Sequence, residues 1–235
     1  MPDLFIPPET VRVPVTGTPD LHFPVRRIYC IGLNYAAHAQ EIYQSTDKAN
    51  TFFFFTKTRD TVLHNRQTVA FPMKTHSFQH EVELVVALGK TGQCIRTAEA
   101  EQHIYGFATG IDFTRRDLQK SLSQSGLPWD AGKVFTHSSA IGSITPLSTI
   151  GKVPDQGGIQ LSVNGVIKQQ ANLDQMLFKI QDIIAELSHY DVLHPGDLIY
   201  TGTPQGTIDL QPGDELVAHI DHLEDLHITV GSDQQ

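Results

Sequence analysis

Glu81 and Glu83 stand two residues apart in the run Gln79-His80-Glu81-Val82-Glu83-Leu84-Val85. Side chains alternate along a β-strand, so both carboxylates fall on one face. A half-solvated strand would account for an acidic face. Val85 and Ala87 continue that face with apolar side chains, however, so the strand reads as buried on both sides. Buried like charges repel and raise each other's pKa unless a cation offsets them, and carboxylate oxygens suit a hard divalent ion, Mg²⁺ or Mn²⁺. Asp112 closes the apolar run that begins at Ile104. It either caps the helix that follows or adds a third carboxylate to the same site. Gly106 and Gly110 strip that run of side chains, which permits close approach to its backbone. Three carboxylates, with no Cys and no His spaced to match them, argue for an octahedral ion that keeps open water positions.

His38 and Glu41 lie three apart in a stretch read as helix, so they are neighbours on one face. Such a pair usually sits in solvent; in a site, the glutamate would orient the imidazole and raise its basicity. Arg116 and Gln119 share the same spacing directly after Asp112, and Lys133 follows Trp129-Asp130-Ala131-Gly132. Lys plus Arg number 17 against 26 Asp plus Glu, a net charge of -9. A protein so charged that handles an anionic substrate must concentrate positive charge locally, and Arg116 and Lys133 are placed to do so. Thr201-Gly202-Thr203-Pro204-Gln205-Gly206 is either a tight turn or a source of hydroxyls and N–H groups for an anion.

The elements carrying these residues are mostly strands. Residues 1–25 hold six prolines, which read as an extended leader with one short strand at most. Residues 26–235 read as a single domain, since no repeat or charged linker divides them. A strand over 27–31 feeds a helix from 35 to about 44, capped by Asn34; residues 52–55 and 82–88 read as buried strands. Thr114 is placed to cap a second helix ending near Gly126. Asn164-Gly165 signals a hairpin, and Ile180, Ile183, Ile184 and Leu187 mark an amphipathic helix. Two Pro-Gly-Asp turns, at 195–197 and 212–214, each precede a strand. The expected class is α+β, predominantly β, with short peripheral helices.

Several function classes fall away. Leu84 stands where a phosphate loop ending in Gly89-Lys90-Thr91 needs its first glycine, and where a zinc protease motif starting at His80-Glu81 needs its second histidine. No clustered Lys/Arg tract favours nucleic acid or anionic lipid, and no apolar run approaches a membrane span. Cys30 and Cys94 form no metal or redox motif and no leader is evident, so a reducing cytoplasm is expected.

Five segments in order resemble the fumarylacetoacetate hydrolase family, and within it the short acylpyruvate hydrolases. They are Arg26-Arg27-Ile28-Tyr29-Cys30-Ile31-Gly32-Leu33-Asn34-Tyr35-Ala36-Ala37-His38, His80-Glu81-Val82-Glu83-Leu84, the stretch from Gly110 through Asp112 and Arg116 to Gln119, Pro128-Trp129 with Lys133, and Pro195-Gly196-Asp197 leading to Thr201-Gly202-Thr203-Pro204. The resemblance implies a β-roll and a homodimer. It implies Glu81, Glu83 and Asp112 as ligands of Mg²⁺, with Mn²⁺ as the alternative. It assigns a catalytic dyad to His38 and Glu41 on a lid segment, and it gives Lys133, Arg116, Gln119 and Thr203 to a small anionic 2-oxo acid substrate. The implied reaction is hydrolysis of the carbon–carbon bond of an acylpyruvate, fumarylpyruvate favoured; oxaloacetate decarboxylation or keto-enol tautomerisation is the alternative. A binding module would keep the carboxylates but have no use for His38 and Glu41. Two residues depart from the pattern: Leu33, where some relatives carry Arg, and Thr58 after Lys57, where many carry Pro.

Overall fold

The computed structural model describes residues 4–6, 9–43 and 51–233. Its largest sheet has eight strands, seven of them in the order Phe54–Lys57, Arg27–Ile31, Asp197–Tyr200, Val82–Leu88, Ile104–Asp112, Ser139–Ile141 and Val62–His64; Thr145–Pro146 also pairs with Ile104–Asp112. The two edge strands are joined in sequence by the single turn Arg59–Thr61. Six spacings of about 4.8 Å would hold the edges of a flat sheet roughly 29 Å apart. Five residues of chain reach only about 18 Å. The sheet must therefore curl, and one cluster collects the residues facing inward: Ile28 and Cys30, Val85 and Ala87, Ala108, Ile141, Leu198 and Tyr200. Tyr200 spans this interior and donates to the Ala140 carbonyl at 3.0 Å.

The outer face carries the residues of opposite parity, Leu84, Val86, Leu88, Phe107 and Ile111, and is equally apolar. A second sheet, in the order Val166–Asn172, Gly158–Val163, Glu215–Ile220, Leu226–Asp233 and Thr68–Phe71, contributes its inward residues to the same cluster. So does the helix Ile180–Tyr190, through Ile180, Ile183, Ile184 and Leu187. The central strand Val82–Leu88 is thus buried along its whole length, as its composition predicts. Asn164 and Gly165 take positive φ of 52° and 75°, the two-residue turn expected between Val163 and Val166. The mostly β architecture with short helices agrees with the sequence reading.

Three local expectations need correction, and the helix expected from residue 35 is present. The leader forms a two-stranded ribbon, Arg12–Val15 with Thr18–Pro24, whose Val13, Val15 and Phe23 join the inner cluster. Its prolines are tolerated because a ribbon leaves outward N–H positions unpaired. Residues 52–55 give only part of a strand, Phe54–Lys57, and at this sheet edge Phe54 and Phe55 are half-buried. The helix expected over 35–44 runs Ala36–Tyr43, and Gln44 lies outside the described residues. Thr114 caps nothing: Thr114–Arg115 pairs with Phe78–Gln79, and the helix Arg116–Gln124 begins without a side-chain cap. Among the described residues no helix is long and apolar enough to cross a membrane.

Candidate active site

Strand parity assembles the acidic cluster. Glu83 shares the inward face of Val85 and Ala87, Asp112 that of Ala108, and Lys57 that of Phe55. All three therefore emerge inside one end of the curled sheet, and Glu81 joins them from just before the strand. One oxygen from each of Glu81, Glu83 and Asp112 lies within 4.8 Å of the others, and all three residues are buried. Asp112 is a member of this cluster, with no role as a helix cap. What approaches the two glycines is protein: a Cβ at Gly106 would sit 2.3 Å from the Thr145 carbonyl oxygen, and one at Gly110 would strike Val85 and Tyr200.

Three cations meet these carboxylates. Lys133 ends the short helix Asp130–Lys133 and bridges Glu81 Oε2 at 2.7 Å and Asp112 Oδ2 at 2.9 Å. Lys57 Nζ lies 2.5 Å from Asp112 Oδ1 and donates to the Ser138 carbonyl at 2.7 Å. Arg116 opens its helix, pairs with Glu81 Oε1, and donates to Gln79 at 2.9 Å and Gln119 at 3.1 Å. The Thr114 hydroxyl adds a hydrogen bond to Glu81 at 3.2 Å. Burial alone would raise the Glu81 carboxyl; Lys133 and Arg116 outweigh it and hold Glu81 well below the usual range. Burial likewise opposes charge on Lys133, but Asp112 and Glu81 raise its pKa.

Glu83 is treated differently. It has no ion pair among the described residues, and its bond is from the Gly202 backbone N–H at 2.6 Å. Burial, then Asp112 and Glu81, push its carboxyl well above the ordinary range. A hard divalent ion answers that imbalance. Its octahedral shell at about 2.1 Å spaces neighbouring oxygens by roughly 3 Å and opposite ones by roughly 4 Å, so small side-chain shifts within the observed 4.8 Å suffice. The all-oxygen donor set of the three carboxylates fits such an ion and includes neither the sulfur nor the imidazole that zinc favours.

A cavity opens beside the cluster. Its polar wall includes Glu81, Glu83, Arg116, Gln119, Lys133 and Thr203, and its apolar wall Leu33, Ile42, Phe53, Phe55 and Trp129. His38 also lines it and is 4% exposed, so the solvated-pair reading fails. His38 Nδ1 lies 3.0 Å from Glu41 Oε2; since the carboxylate only accepts, Nδ1 carries a proton, and in the neutral imidazole the lone pair is then on Nε2. Burial opposes the charge on Glu41, but His38 and then the Gly206 N–H, at 3.0 Å from Oε1, lower its pKa.

The loop 201–206 is held by residues far away in sequence. Gly202 takes φ 98°, and a Cβ there would lie 2.6 Å from Asn34 Cβ. The Asn34 amide donates to the Thr201 carbonyl at 2.8 Å and to that of Phe178 at 3.0 Å, and accepts from the Phe178 N–H at 2.7 Å. Asn34 is therefore a tie between segments and not the helix cap expected of it. Thr201 donates back to the Leu84 carbonyl at 2.9 Å, while Thr203 reaches the cavity. The loop does present N–H groups to anions, and these anions are Glu83 and Glu41.

All nine residues singled out in the sequence thus converge. Lys57, which precedes the departure at Thr58, is not among them. The available signal is a lone lysine of inward parity in an aromatic strand, which requires a buried partner.

Comparison with known proteins agrees with this geometry. The family model described as fumarylacetoacetate (FAA) hydrolase C-terminal matches residues 27–231. A fumarylpyruvate hydrolase of Ralstonia sp. is 42% identical over 179 residues, covering 76% of this chain and 92% of that protein. An oxaloacetate tautomerase of Escherichia coli is 34% identical, covering 86% and 91%. The crystal structure of fumarylpyruvate hydrolase from Pseudomonas aeruginosa, in complex with Mn²⁺ and pyruvate, superposes with a TM-score of 0.94 at 38% identity, covering 99% of this chain and 100% of that one. With the matched model spanning most of the sequence and the curled sheet shared, this chain belongs to the fumarylacetoacetate hydrolase family.

Proposed function

We propose that this protein hydrolyses the carbon–carbon bond of an acylpyruvate, with fumarylpyruvate the favoured substrate, giving pyruvate and a carboxylic acid. The observation that carries the reading is the His38–Glu41 pair facing the same cavity as the acidic cluster and Lys133. The similar enzymes from Ralstonia and Pseudomonas aeruginosa support the substrate class. Glu81, Glu83 and Asp112 would hold Mg²⁺ or Mn²⁺. Bound there, the ion would supply Lewis-acid stabilisation of negative charge on the 2-oxo end of the substrate.

Arg116, Gln119 and Thr203 bind and orient the pyruvoyl end, leaving the acyl group toward His38. Glu41, anchored by Gly206, keeps the His38 Nε2 lone pair directed into the cavity. That nitrogen takes a proton from water as the hydroxide adds to the distal acyl carbonyl. Collapse of the tetrahedral adduct breaks the C–C bond, and its electron pair passes to the pyruvate enolate. Lys133 stabilises that charge, and the proton held by His38 Nε2 is returned to the enolate carbon. The apolar wall excludes bulk water from this charge development.

The oxaloacetate reading is favoured by one observation, the similarity to an oxaloacetate tautomerase. That chemistry uses the same anion-stabilising groups without an attacking water. The free cysteines, Cys30 buried and Cys94 exposed, suit a reducing cytoplasm, and a homodimer is part of the same reading. A product-resolved assay with fumarylpyruvate, acetylpyruvate and oxaloacetate, with and without Mg²⁺, tests it. Metal-dependent release of pyruvate and fumarate is expected; turnover of oxaloacetate alone would overturn it.

A further inference from the structure

The loop that carries Thr203 is tied to a residue with no part in the reaction just described. Gln169 lies on the edge strand Val166–Asn172 of the second sheet and is the only residue of that strand to be fully buried. The register slips around it: Gln169 faces Leu161 whereas Ile167 faces Ser162, leaving Lys168 as an extra, unpaired residue. A bulge of this kind re-aims the neighbouring side chain. The absence of a Cβ at Gly206 accommodates it, since one would lie 2.1 Å from the Lys168 carbonyl oxygen.

Every hydrogen-bonding valence of the Gln169 amide is filled. Its Oε1 accepts from the Val82 backbone N–H at 3.0 Å, and a backbone N–H has no other polarity to offer. The same oxygen meets His80 Nδ1 at 2.9 Å, so that nitrogen carries the imidazole proton. With the oxygen placed, Nε2 must face the opposite way. There it donates to the Pro204 carbonyl at 2.7 Å and to Thr203 Oγ1 at 2.9 Å. The Thr203 hydroxyl is therefore an acceptor toward Gln169. Among the described residues its proton has one other acceptor, Pro204 O at 3.5 Å, which is long for such a bond and already occupied by Gln169.

From this chain of fixed polarities we infer that Gln169 is a positioning residue that forces Thr203 to present its hydroxyl proton to the cavity, as a donor to an anionic oxygen of the substrate's pyruvoyl end. The inference rests on the acylpyruvate reading for the identity of that oxygen and on the amide network for the direction of the proton. Without the amide, the Thr203 hydroxyl is free to turn its proton to the Pro204 carbonyl and confront the substrate with a lone pair. The strand with Glu81 and Glu83 and the loop with Thr203 are then referenced to one side chain, because Val82 and Thr203 share it.

The test is calorimetric titration of pyruvate into the Mn²⁺-loaded enzyme and its variants, with Mn²⁺ affinity measured alongside. Loss of a hydrogen bond to a charged group weakens binding by about 10-fold or more. Thr203→Val should show that loss and Thr203→Ser should keep near wild-type affinity. Gln169→Leu should weaken pyruvate binding to a similar extent with Mn²⁺ affinity kept, and should add little in a Thr203→Val background. Gln169→Met, similar in length and without a donor, should repeat the effect and serves if the leucine variant does not fold. Wild-type pyruvate affinity in both Gln169 variants, or losses that multiply in full in the double variant, would overturn the inference alone. A wild-type enzyme that binds Mn²⁺ but not pyruvate would overturn the functional reading beneath it.

Discussion

Glu83 is the carboxylate of the three that has no ion pair among the described residues, and its properties follow from that. Three carboxylates and three cations share this end of the sheet, yet Lys57, Lys133 and Arg116 all engage Glu81 or Asp112. In Glu83→Gln the metal loses a charged ligand from a set of three, so metal affinity and activity should fall together in calorimetric and kinetic measurements. Unchanged affinity would remove Glu83 from the ligand set. Lys133 bridges two carboxylates at the polar wall, where the pyruvoyl end common to all acylpyruvates would lie. Lys133→Met should therefore lower kcat/KM for every acylpyruvate assayed, whatever its acyl group. A loss confined to one acyl group would place Lys133 at the variable end.

At the scale of the elements, the site depends on a loop that side-chain chemistry alone does not reveal. Gly202 donates to Glu83 from a backbone with φ 98°, pressed against Asn34. In Gly202→Ala both the strained φ and the 2.6 Å contact must be relieved by moving the loop, so stability and metal affinity should both decline. A melting scan and a metal titration of that variant check this; loss of stability at unchanged metal affinity would mean the Glu83 contact is dispensable. Much was legible without coordinates. The two-residue spacing of Glu81 and Glu83, the apolar parity of Val85 and Ala87, and the Asn164-Gly165 turn are short-range signals, and each led to the observed structure. Asn34 and Thr114 were misread because capping is a local rule, whereas their partners, Thr201 with Phe178 and Glu81, are brought in by the fold. Gln169 left no trace, since a lone glutamine in a polar strand acquires meaning only through the bulge beside it.

Over the whole molecule, the curled sheet holds the acidic cluster while the second sheet frames it, and the two respond to different conditions. The strand Glu215–Ile220 carries His219 near its end, 2.6 Å from Asp225 and 3.3 Å from Asp221 of the turn that leads to Leu226–Asp233. The hydrogen bond it donates to Asp225 is the leading cause of its raised pKa. A histidine raised in the folded state contributes stability that is complete below its unfolded value near 6.5 and is lost as pH rises through the folded value. His219→Gln should thus cost about 0.5 kcal/mol at pH 5 to 6, discounted for the exposure of the pair, and nothing in alkaline solution, where melting curves of the two proteins should coincide. A constant difference across pH would attribute the effect to packing.

The acidic cluster at the mouth of the sheet and the dyad on the helix Ala36–Tyr43 converge from separate elements on one cavity, and the account assigns them separable work. The most direct test is His38→Ala assayed on fumarylpyruvate and on oxaloacetate, with Mg²⁺ binding measured on the same preparation. Acylpyruvate cleavage should fall by about 10²-fold or more while Mg²⁺ binding stays near wild type and any oxaloacetate turnover falls less. Unimpaired fumarylpyruvate cleavage in that variant would contradict it.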